Sequence, residues 1–254
     1  MRGQEFQAIY VMWLREMKRF YRFKSRIIIT FVQPLFFLVI LGFGLRNISI
    51  ASMKSDYFYF FAPGMVAMST MFSSMFTGVT VLWDKQFGFL QEVLVAPVSR
   101  LSIIIGRILG GATTALIQGF IILFIVIALG MPIYSIFGLL LAIIFMIVIS
   151  FTCVGFGLVL ASKMRDWQTF PMITNLVLTP LLLVSSAFFP LKNLPTAASF
   201  AAQFNPIFYM VDGLRGSLLG VDNIFHPLID LAILSGICIL MIFLGSYFFS
   251  KSEA

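Results

Sequence analysis

The chain has 254 residues, of which 60% are hydrophobic and only 11% are charged, and its formal net charge is +7 at pH 7. Soluble domains carry about 25% charged residues, so this composition leaves too little polar surface for a water-soluble fold. The sequence therefore predicts an integral membrane protein and excludes an ordinary soluble domain.

Residues 1–26 form a basic and aromatic segment ahead of the first apolar run. Aromatic and apolar side chains recur there at helical spacing, at Phe6, Ile9, Tyr10, Trp13, Met17 and Phe20. Because such rings favour the headgroup region and the interspersed basic residues favour anionic lipid, we expect an amphipathic helix in the membrane interface. A plain topology anchor explains the same residues, since basic flanks orient spans.

Six continuous apolar runs follow, at residues 27–45, 57–83, 108–130, 136–161, 170–189 and 228–249. A bilayer core of about 30 Å requires roughly 20 apolar residues in a helix. The strands of outer-membrane barrels alternate in polarity, whereas these runs do not. The sequence therefore predicts an all-α integral membrane protein in which one domain, residues 1–254, contains six transmembrane helices.

The basic residues indicate the orientation of these spans, because short loops rich in Lys and Arg stay in the cytoplasm. With six spans, thirteen of the seventeen Lys and Arg residues fall on the side that holds both termini. We therefore expect both termini in the cytoplasm. The net charge is explained by topology and by contact with anionic lipid, without a nucleic-acid partner.

Residues 84–107, between the second and third runs, are of mixed polarity. At about 100° per residue, Phe87, Phe89 and their apolar neighbours share one arc of a helix, with Lys85 and Glu92 on the other. Asp84 is expected to cap the start of this helix and Pro97 to end it. The pattern fits a simple interfacial connector as well as a helix that docks on a partner.

The stretch between the last two runs, residues 190–227, is long for a loop but largely apolar and aromatic. Asn205 followed by Pro206 predicts a helix cap and a first turn. We interpret the stretch as short helices that dip into the outer leaflet and close a pathway. A simple interfacial cap is an equally good interpretation.

Charged residues are scarce inside the spans. Gln33 and Gln118 are candidates for lining a pathway, and Asp230 is expected near the interface. A lining without buried charge argues against a proton or sodium relay and favours an amphipathic cargo. The spacing of Gly106 and Gly110 predicts close packing of the third span on a neighbour, and ordinary helix packing within one subunit is the favoured explanation.

Motifs for catalysis, metal binding or nucleotide binding are not found in the sequence. Cys153 and Cys238 lie inside predicted spans and His226 is the only histidine, so a catalytic zinc site is not expected. No lysine follows a glycine as a P-loop requires, and there is no G-x-S-x-G elbow. We expect no cofactor and no enzymatic activity in this chain.

Two stretches resemble the permeases of ABC-2 type transporters. FGFLQEVLVAPVSRLSIIIGR is similar to the pattern G-x-x-E-x-L-x-x-x-P-[VI]-S-R-x-x-x-x-x-G-[KR], with the early spacing one residue off. FFPLKNLPTAASFAAQFNPIFYMVDGLRG resembles the outer segment before the last span. The resemblance covers essentially the whole chain and is uninformative about the substrate.

The resemblance implies that residues 84–107 include a coupling helix, which sits in a groove of a separate ATPase subunit. Residues 1–26 resemble the interfacial elbow helix that flanks this groove. The implied coupling candidates are Gly88, Glu92, Pro97, Ser99, Arg100 and Arg107. The implied outer-gate candidates are Pro190, Pro195, Asn205, Pro206, Asp212 and Arg215.

The implied assembly has two permeases, expected to be a homodimer, and two ATPase subunits that bind ATP and Mg²⁺. The expected function is export of a hydrophobic or amphipathic small molecule across the plasma membrane of a prokaryote. Export of a polysaccharide or glycolipid by the same type of machine is the alternative. A stand-alone secondary transporter would show internal repeats and midplane charges, and a membrane enzyme would show convergent catalytic groups.

Overall fold

The computed structural model describes residues 2–44, 56–89, 98–164, 166–191 and 196–252. Over these residues the secondary structure is helical, without strands. The helices are α1 (Arg2–Arg22), α2 (Lys24–Phe37), α3 (Tyr57–Gln86), α4 (Arg100–Ala128), α5 (Ile136–Lys163), α6 (Thr169–Leu183), α7 (Thr196–Gln203), α8 (Pro206–Leu219) and α9 (Pro227–Ser252). A π-helix, Leu38–Phe43, continues α2, which contains Pro34.

Polar side chains cap three of the helices where the apolar runs begin. The hydroxyl of Ser99 accepts a hydrogen bond from the backbone N–H of Ser102 at the start of α4. The hydroxyl of Ser135 caps α5 through the N–H of Phe137. The predicted helix start at Asn205 and Pro206 is confirmed, because the Asn205 side chain accepts from the N–H of Ile207 and Pro206 is the first residue of α8.

In the described part of the chain, four helices are long and apolar enough to cross a membrane: α3, α4, α5 and residues Pro227–Phe249 of α9. Two shorter apolar helical stretches, Phe31–Gly42 and Thr169–Leu183, fall on the first and fifth predicted runs. α6 has 15 residues, so it is about 22 Å long, shorter than the bilayer core. The residues that follow Leu183 form turns.

α3 is the central helix of the bundle. Almost all of its side chains are buried, and it packs against α4, α5 and α8. α9 packs on α5 and leaves most of its apolar surface exposed, as a helix facing lipid does. Hydroxyls inside α3 are satisfied locally, since those of Thr70 and Ser74 donate to the carbonyls four residues earlier.

Contacts between distant segments define the two ends of the bundle. At one end, the ring of Trp83 contacts the rings of Phe23 and Trp167. At the other, the hydroxyl of Tyr57 donates to the carbonyl of Phe188 at 3.1 Å. The first end therefore gathers the segments expected in the cytoplasm, and the second gathers those expected outside.

Candidate functional site

The end of α3 carries a buried ion cluster, formed by Asp84 with Arg15, Arg19 and Arg107. Arg15 Nη1 donates to Asp84 Oδ2 at 2.8 Å, and Arg19 Nη2 donates to Oδ1 at 2.8 Å. The nearest Arg107 nitrogen, Nη2, is also 2.8 Å from Oδ2. The Asp84 carboxylate is 2% exposed, so three guanidinium groups from two other helices converge on one desolvated anion.

Arg107 is the most deeply buried member of the cluster. Its ion pair with Asp84 lies outside hydrogen-bonding geometry, and none of its three guanidinium nitrogens has a hydrogen-bond acceptor among the described residues. Glu16 is buried beside the cluster, with its Oε1 3.7 Å from Arg19 Nη1. Because removing one partner of a buried ion pair strands the other charge, the cluster depends on every member.

The position of Asp84 corrects the prediction that it caps a separate helix. α3 continues through Asp84 to Gln86, so this carboxylate projects from inside a helix and pairs with arginines. A pattern in the sequence could have indicated this pairing. Arg15 and Arg19 are four residues apart and share one face of a helix, and Asp84 ends an apolar run.

Glu5, which the sequence reasoning did not single out, makes a second contact between α1 and α4. Its carboxylate accepts from the hydroxyl of Ser99 at 2.7 Å, from the Ser99 N–H, and from the hydroxyl of Ser102. The donation from Ser102, and then that from Ser99, holds the pKa of the Glu5 carboxyl below its usual value. Ser99, a coupling candidate, is thus both the cap of α4 and the anchor of α1.

The predicted close packing at Gly106 and Gly110 is confirmed, and the neighbour is α1. A Cβ atom at Gly106 would lie 2.7 Å from Cβ of Met12, and one at Gly110 would lie 2.7 Å from Cβ of Glu16. Only glycine permits this approach. The indole N–H of Trp13 also donates to the hydroxyl of Thr113 at 3.1 Å.

Among the described residues, the coupling candidates therefore do not form one cluster. Gly88 follows α3 with φ of +78°, a conformation that favours glycine. Arg100 is exposed in the first turn of α4, and Arg107 is buried about two turns further along the same helix. Glu92 and Pro97 lie outside the described residues.

The outer-gate candidates tie α8 to the rest of the bundle. Arg215 is buried, and its Nε donates to the carbonyl of Phe60 at 3.1 Å while its Nη2 donates to the carbonyl of Ser186 at 2.8 Å. The guanidinium carbon also lies 3.6 Å from the centroid of the Phe60 ring. Arg215 therefore joins α8 to α3 and to the turns that follow α6.

The remaining outer candidates have structural contacts of their own. The buried carboxylate of Asp212 accepts from the backbone N–H groups of Ile224 and Phe225, at 2.8 and 3.0 Å. Asn205 Nδ2 donates to the carbonyl of Leu181 at 2.5 Å. Pro190 is buried. Pro195 lies outside the described residues.

Asp230 is buried, although the sequence reasoning discounted it as an interface residue. Neither of its carboxylate oxygens has a hydrogen-bond donor among the described residues. Its position near the start of α9 gave no signal of this burial, because sequence position alone does not show which helices pack against it.

The two pathway candidates do not lie together. Gln33 lines an open cavity of about 220 Å³ between α2, α3 and α6, where Thr174 and Asn175 supply the other polar groups. Its apolar wall consists of Pro34, Phe72, Met75, Phe76, Val79, Phe170 and Pro171. Gln118 is buried in α4 away from this cavity, and its Oε1 has no hydrogen-bond donor among the described residues.

Comparison with known proteins matches residues 7–219 to the family described as ABC-2 type transporter. The chain is 26% identical over 212 residues to the putative transport permease ycf38 of Cyanophora paradoxa, a match that covers 82% of this chain and 73% of the relative. It is 28% identical over 210 residues to nodulation protein J of Rhizobium leguminosarum bv. trifolii, covering 78% and 74%.

A further relative is the inner membrane transport permease YadH of Escherichia coli strain K12, 25% identical over 219 residues and covering 85% of each chain. These names are consistent with the membrane subunit of a transporter rather than an enzyme. The family match spans most of the helical bundle, including the ion cluster and α8. This protein belongs to the ABC-2 type transporter family.

Proposed function

We propose that this permease exports a hydrophobic or amphipathic small molecule, drug-like or lipid-like, out of the cytoplasm or the inner leaflet. Two copies of a separate ABC ATPase, which bind ATP and Mg²⁺, drive the export. The permease acts as a homodimer with six spans per copy. Two of these spans are short: α2 with its π-helix, and α6. It lies in the plasma membrane of a prokaryote with both termini in the cytoplasm.

The observation that carries the proposal is the convergence of Arg15, Arg19 and Arg107 on Asp84. This cluster joins α1 to α3 and α4, the two helices that flank the predicted coupling helix. A movement imposed there by an ATPase is therefore transmitted to two spans and to α1 together. Such a unit supports coupling, because ATP binding shifts a permease only if its arrangements differ in their contacts with the ATPase.

The distribution of contacts supports the proposed orientation. α1, Trp83 and Trp167 lie at the end of the bundle that is rich in basic residues, where Lys163 also contacts the ring of Phe248. Arg215 and Tyr57 lie at the other end, where they bond to the turns after α6. The excess of basic residues on one side is typical of the cytoplasmic side.

The cavity at Gln33 supports the proposed class of cargo. Its wall is mainly aromatic and aliphatic, and Gln33, Thr174 and Asn175 offer hydrogen bonds without a formal charge. This combination suits an amphipathic molecule. A volume of about 220 Å³ favours a small cargo over a polysaccharide, which needs a wide channel.

The exposed side of the cavity supports a dimer. The two helices that line its open side, α2 and α6, also expose apolar residues, such as Val32 and Phe36 of α2 and Met172 and Leu176 of α6; we take these residues as its rim. A second copy packed on this rim encloses the cavity between two permeases. Leu176→Cys is expected to cross-link two copies, whereas Phe243→Cys, which is exposed on α9, is not.

A reconstituted transport assay tests the proposal. The permease and a partner ABC ATPase are placed in proteoliposomes, and ATP-dependent movement of a fluorescent amphipathic dye is measured. We expect transport that requires both proteins and ATP and that is lost in Asp84→Asn. Asp56→Asn, an exposed change at the opposite end of α3, is the matched control. Dye movement without any ATPase would overturn the proposal.

A further inference from the structure

A basic pocket of about 380 Å³ lies beside the ion cluster, on the surface of α1 and the residue after it. Its lining contains four basic residues, Arg15, Lys18, Arg19 and Arg22, and three apolar residues, Val11, Leu14 and Phe23. The volume lies within the roughly 300–1,000 Å³ that is typical of ligand sites. The pocket is distinct from the cavity at Gln33, with which it shares no lining residue.

The charges around this pocket do not balance. Arg15, Arg19 and Arg107 face two carboxylates, those of Asp84 and Glu16. Lys18 and Arg22 add two further positive charges, and within the described parts of the chain neither has a carboxylate partner. A positive surplus beside a buried cluster is unfavourable without an anion, so the pocket favours an anionic ligand.

Two exposed basic side chains indicate where that anion binds. Lys18 and Arg22 line the pocket and are exposed, whereas Arg15 and Arg19 are partly buried by their contacts with Asp84. Ammonium and guanidinium groups both pair with phosphate oxygens, so a phosphate in the pocket binds between Lys18 and Arg22.

The apolar residues of the lining identify the source of the phosphate. A free anion would gain nothing from apolar neighbours. The glycerol and upper acyl chain of a lipid, in contrast, can pack against Val11, Leu14 and Phe23. α1 also exposes the rings of Phe6, Tyr10 and Tyr21, as a helix in the membrane interface does. We propose that this pocket binds the phosphate of an anionic phospholipid in the leaflet beside α1.

The bound lipid would hold α1 against the cluster by neutralising its excess charge. This inference rests on the interfacial position of α1 and does not depend on coupling to an ATPase. The two proposals therefore fail independently, and the permease alone is sufficient for the test.

Native mass spectrometry of the permease, purified with a defined mixture of phosphatidylglycerol and phosphatidylcholine, measures the retained lipid. Wild type is expected to retain phosphatidylglycerol, and the double variant K18Q/R22Q to bind it about thirty-fold more weakly, since each exposed basic residue contributes to anionic-lipid binding. K163Q/K251Q removes the same number of charges from the ends of α5 and α9 and is expected to match wild type.

Three results would overturn the proposal. The first is equal retention of phosphatidylglycerol by wild type and K18Q/R22Q. The second is retention of phosphatidylcholine as strong as that of phosphatidylglycerol, because the pocket then does not recognise negative charge. The third is displacement of the lipid by inorganic phosphate at equal concentration, which would identify a free-phosphate site; failure of phosphate to compete supports the lipid.

Discussion

Arg15 of α1 and Asp84 of α3 are 69 positions apart and form a bidentate salt bridge. Each terminal guanidinium nitrogen of Arg15 donates to one carboxylate oxygen of Asp84. The contact fixes both the position and the orientation of α1 on the bundle. Arg107 of α4 reaches the same carboxylate from the other side. These contacts hold together the interfacial helix α1, the end of α3 and the first turns of α4.

Asp84→Asn is expected to destabilise this unit. The change leaves three guanidinium groups without their anion, at a cost of about 3 kcal/mol, toward the lower end of the usual range because Arg15 and Arg19 are partly exposed. The measurement is the thermal unfolding of the detergent-solubilised permease. Asp56→Asn, on the same helix, should leave the unfolding temperature unchanged; equal effects of the two changes would show that the cluster does not stabilise the fold.

Gly106→Ala is expected to push α1 away from α4. The added methyl group would lie 2.7 Å from Cβ of Met12 and 2.8 Å from the carbonyl oxygen of Ile9, so one helix has to shift, at about 1–3 kcal/mol. Gly236→Ala is the control, because a Cβ atom there meets nothing within 4 Å. A stable Gly106→Ala variant with α1 still protected from proteolysis would contradict the packing.

Glu5→Gln is expected to loosen the N-terminal half of α1, because the carboxylate that accepts from Ser99 and Ser102 is lost. In the wild type the folded-state pKa of Glu5 lies below the ordinary value of 4.5, so the contact is complete above that pH. It is lost as the pH falls through the lowered pKa.

Hydrogen exchange of residues 2–12, corrected for the intrinsic rate and followed from about pH 7 to about pH 3, measures this loosening. Wild type should lose protection below pH 4.5. The Glu5→Gln variant should already be unprotected at neutral pH and change little. A variant as protected as wild type would remove Glu5 from the anchor.

Arg215→Lys is expected to impair transport while leaving ATPase binding intact. A lysine keeps the charge but lacks the planar guanidinium group. It therefore cannot donate to the carbonyls of Phe60 and Ser186 at once while it also stacks on the Phe60 ring. The tie between α8 and α3 is then weakened at the outer end. The measurements are dye transport and ATPase co-purification, and loss of ATPase binding would indicate a general folding role for Arg215 instead.

The sequence predicted features that depend on local patterns. The apolar run that begins at Tyr57 starts α3 at that residue, and Asn205 with Pro206 starts α8 as expected. The membrane class and the resemblance to ABC-2 permeases, confirmed by the family match, likewise follow from composition and short motifs.

The ion cluster depends on tertiary structure, and local reasoning misplaced its central residue. An aspartate after an apolar run is a good helix cap by local rules, whereas the docking of α1 pairs Asp84 with Arg15. The anchor at Glu5 and the burial of Asp230 were missed for the same reason. Glu5 and Ser99 are far apart in the chain, and the burial of Asp230 depends on the packing of α9 against α5 and α8.

Co-purification with an ABC ATPase tests the central claim most directly. The tagged permease is co-expressed in turn with each ABC ATPase of its own genome that lacks a membrane span, as wild type and as Glu92→Ala and Arg100→Ala, with Lys251→Ala as the control. We expect one ATPase to co-purify with wild type and the control and to be weakened by both substitutions in the predicted coupling segment. If no ATPase binds wild type, or if one binds all variants equally, coupling through residues 84–107 is contradicted.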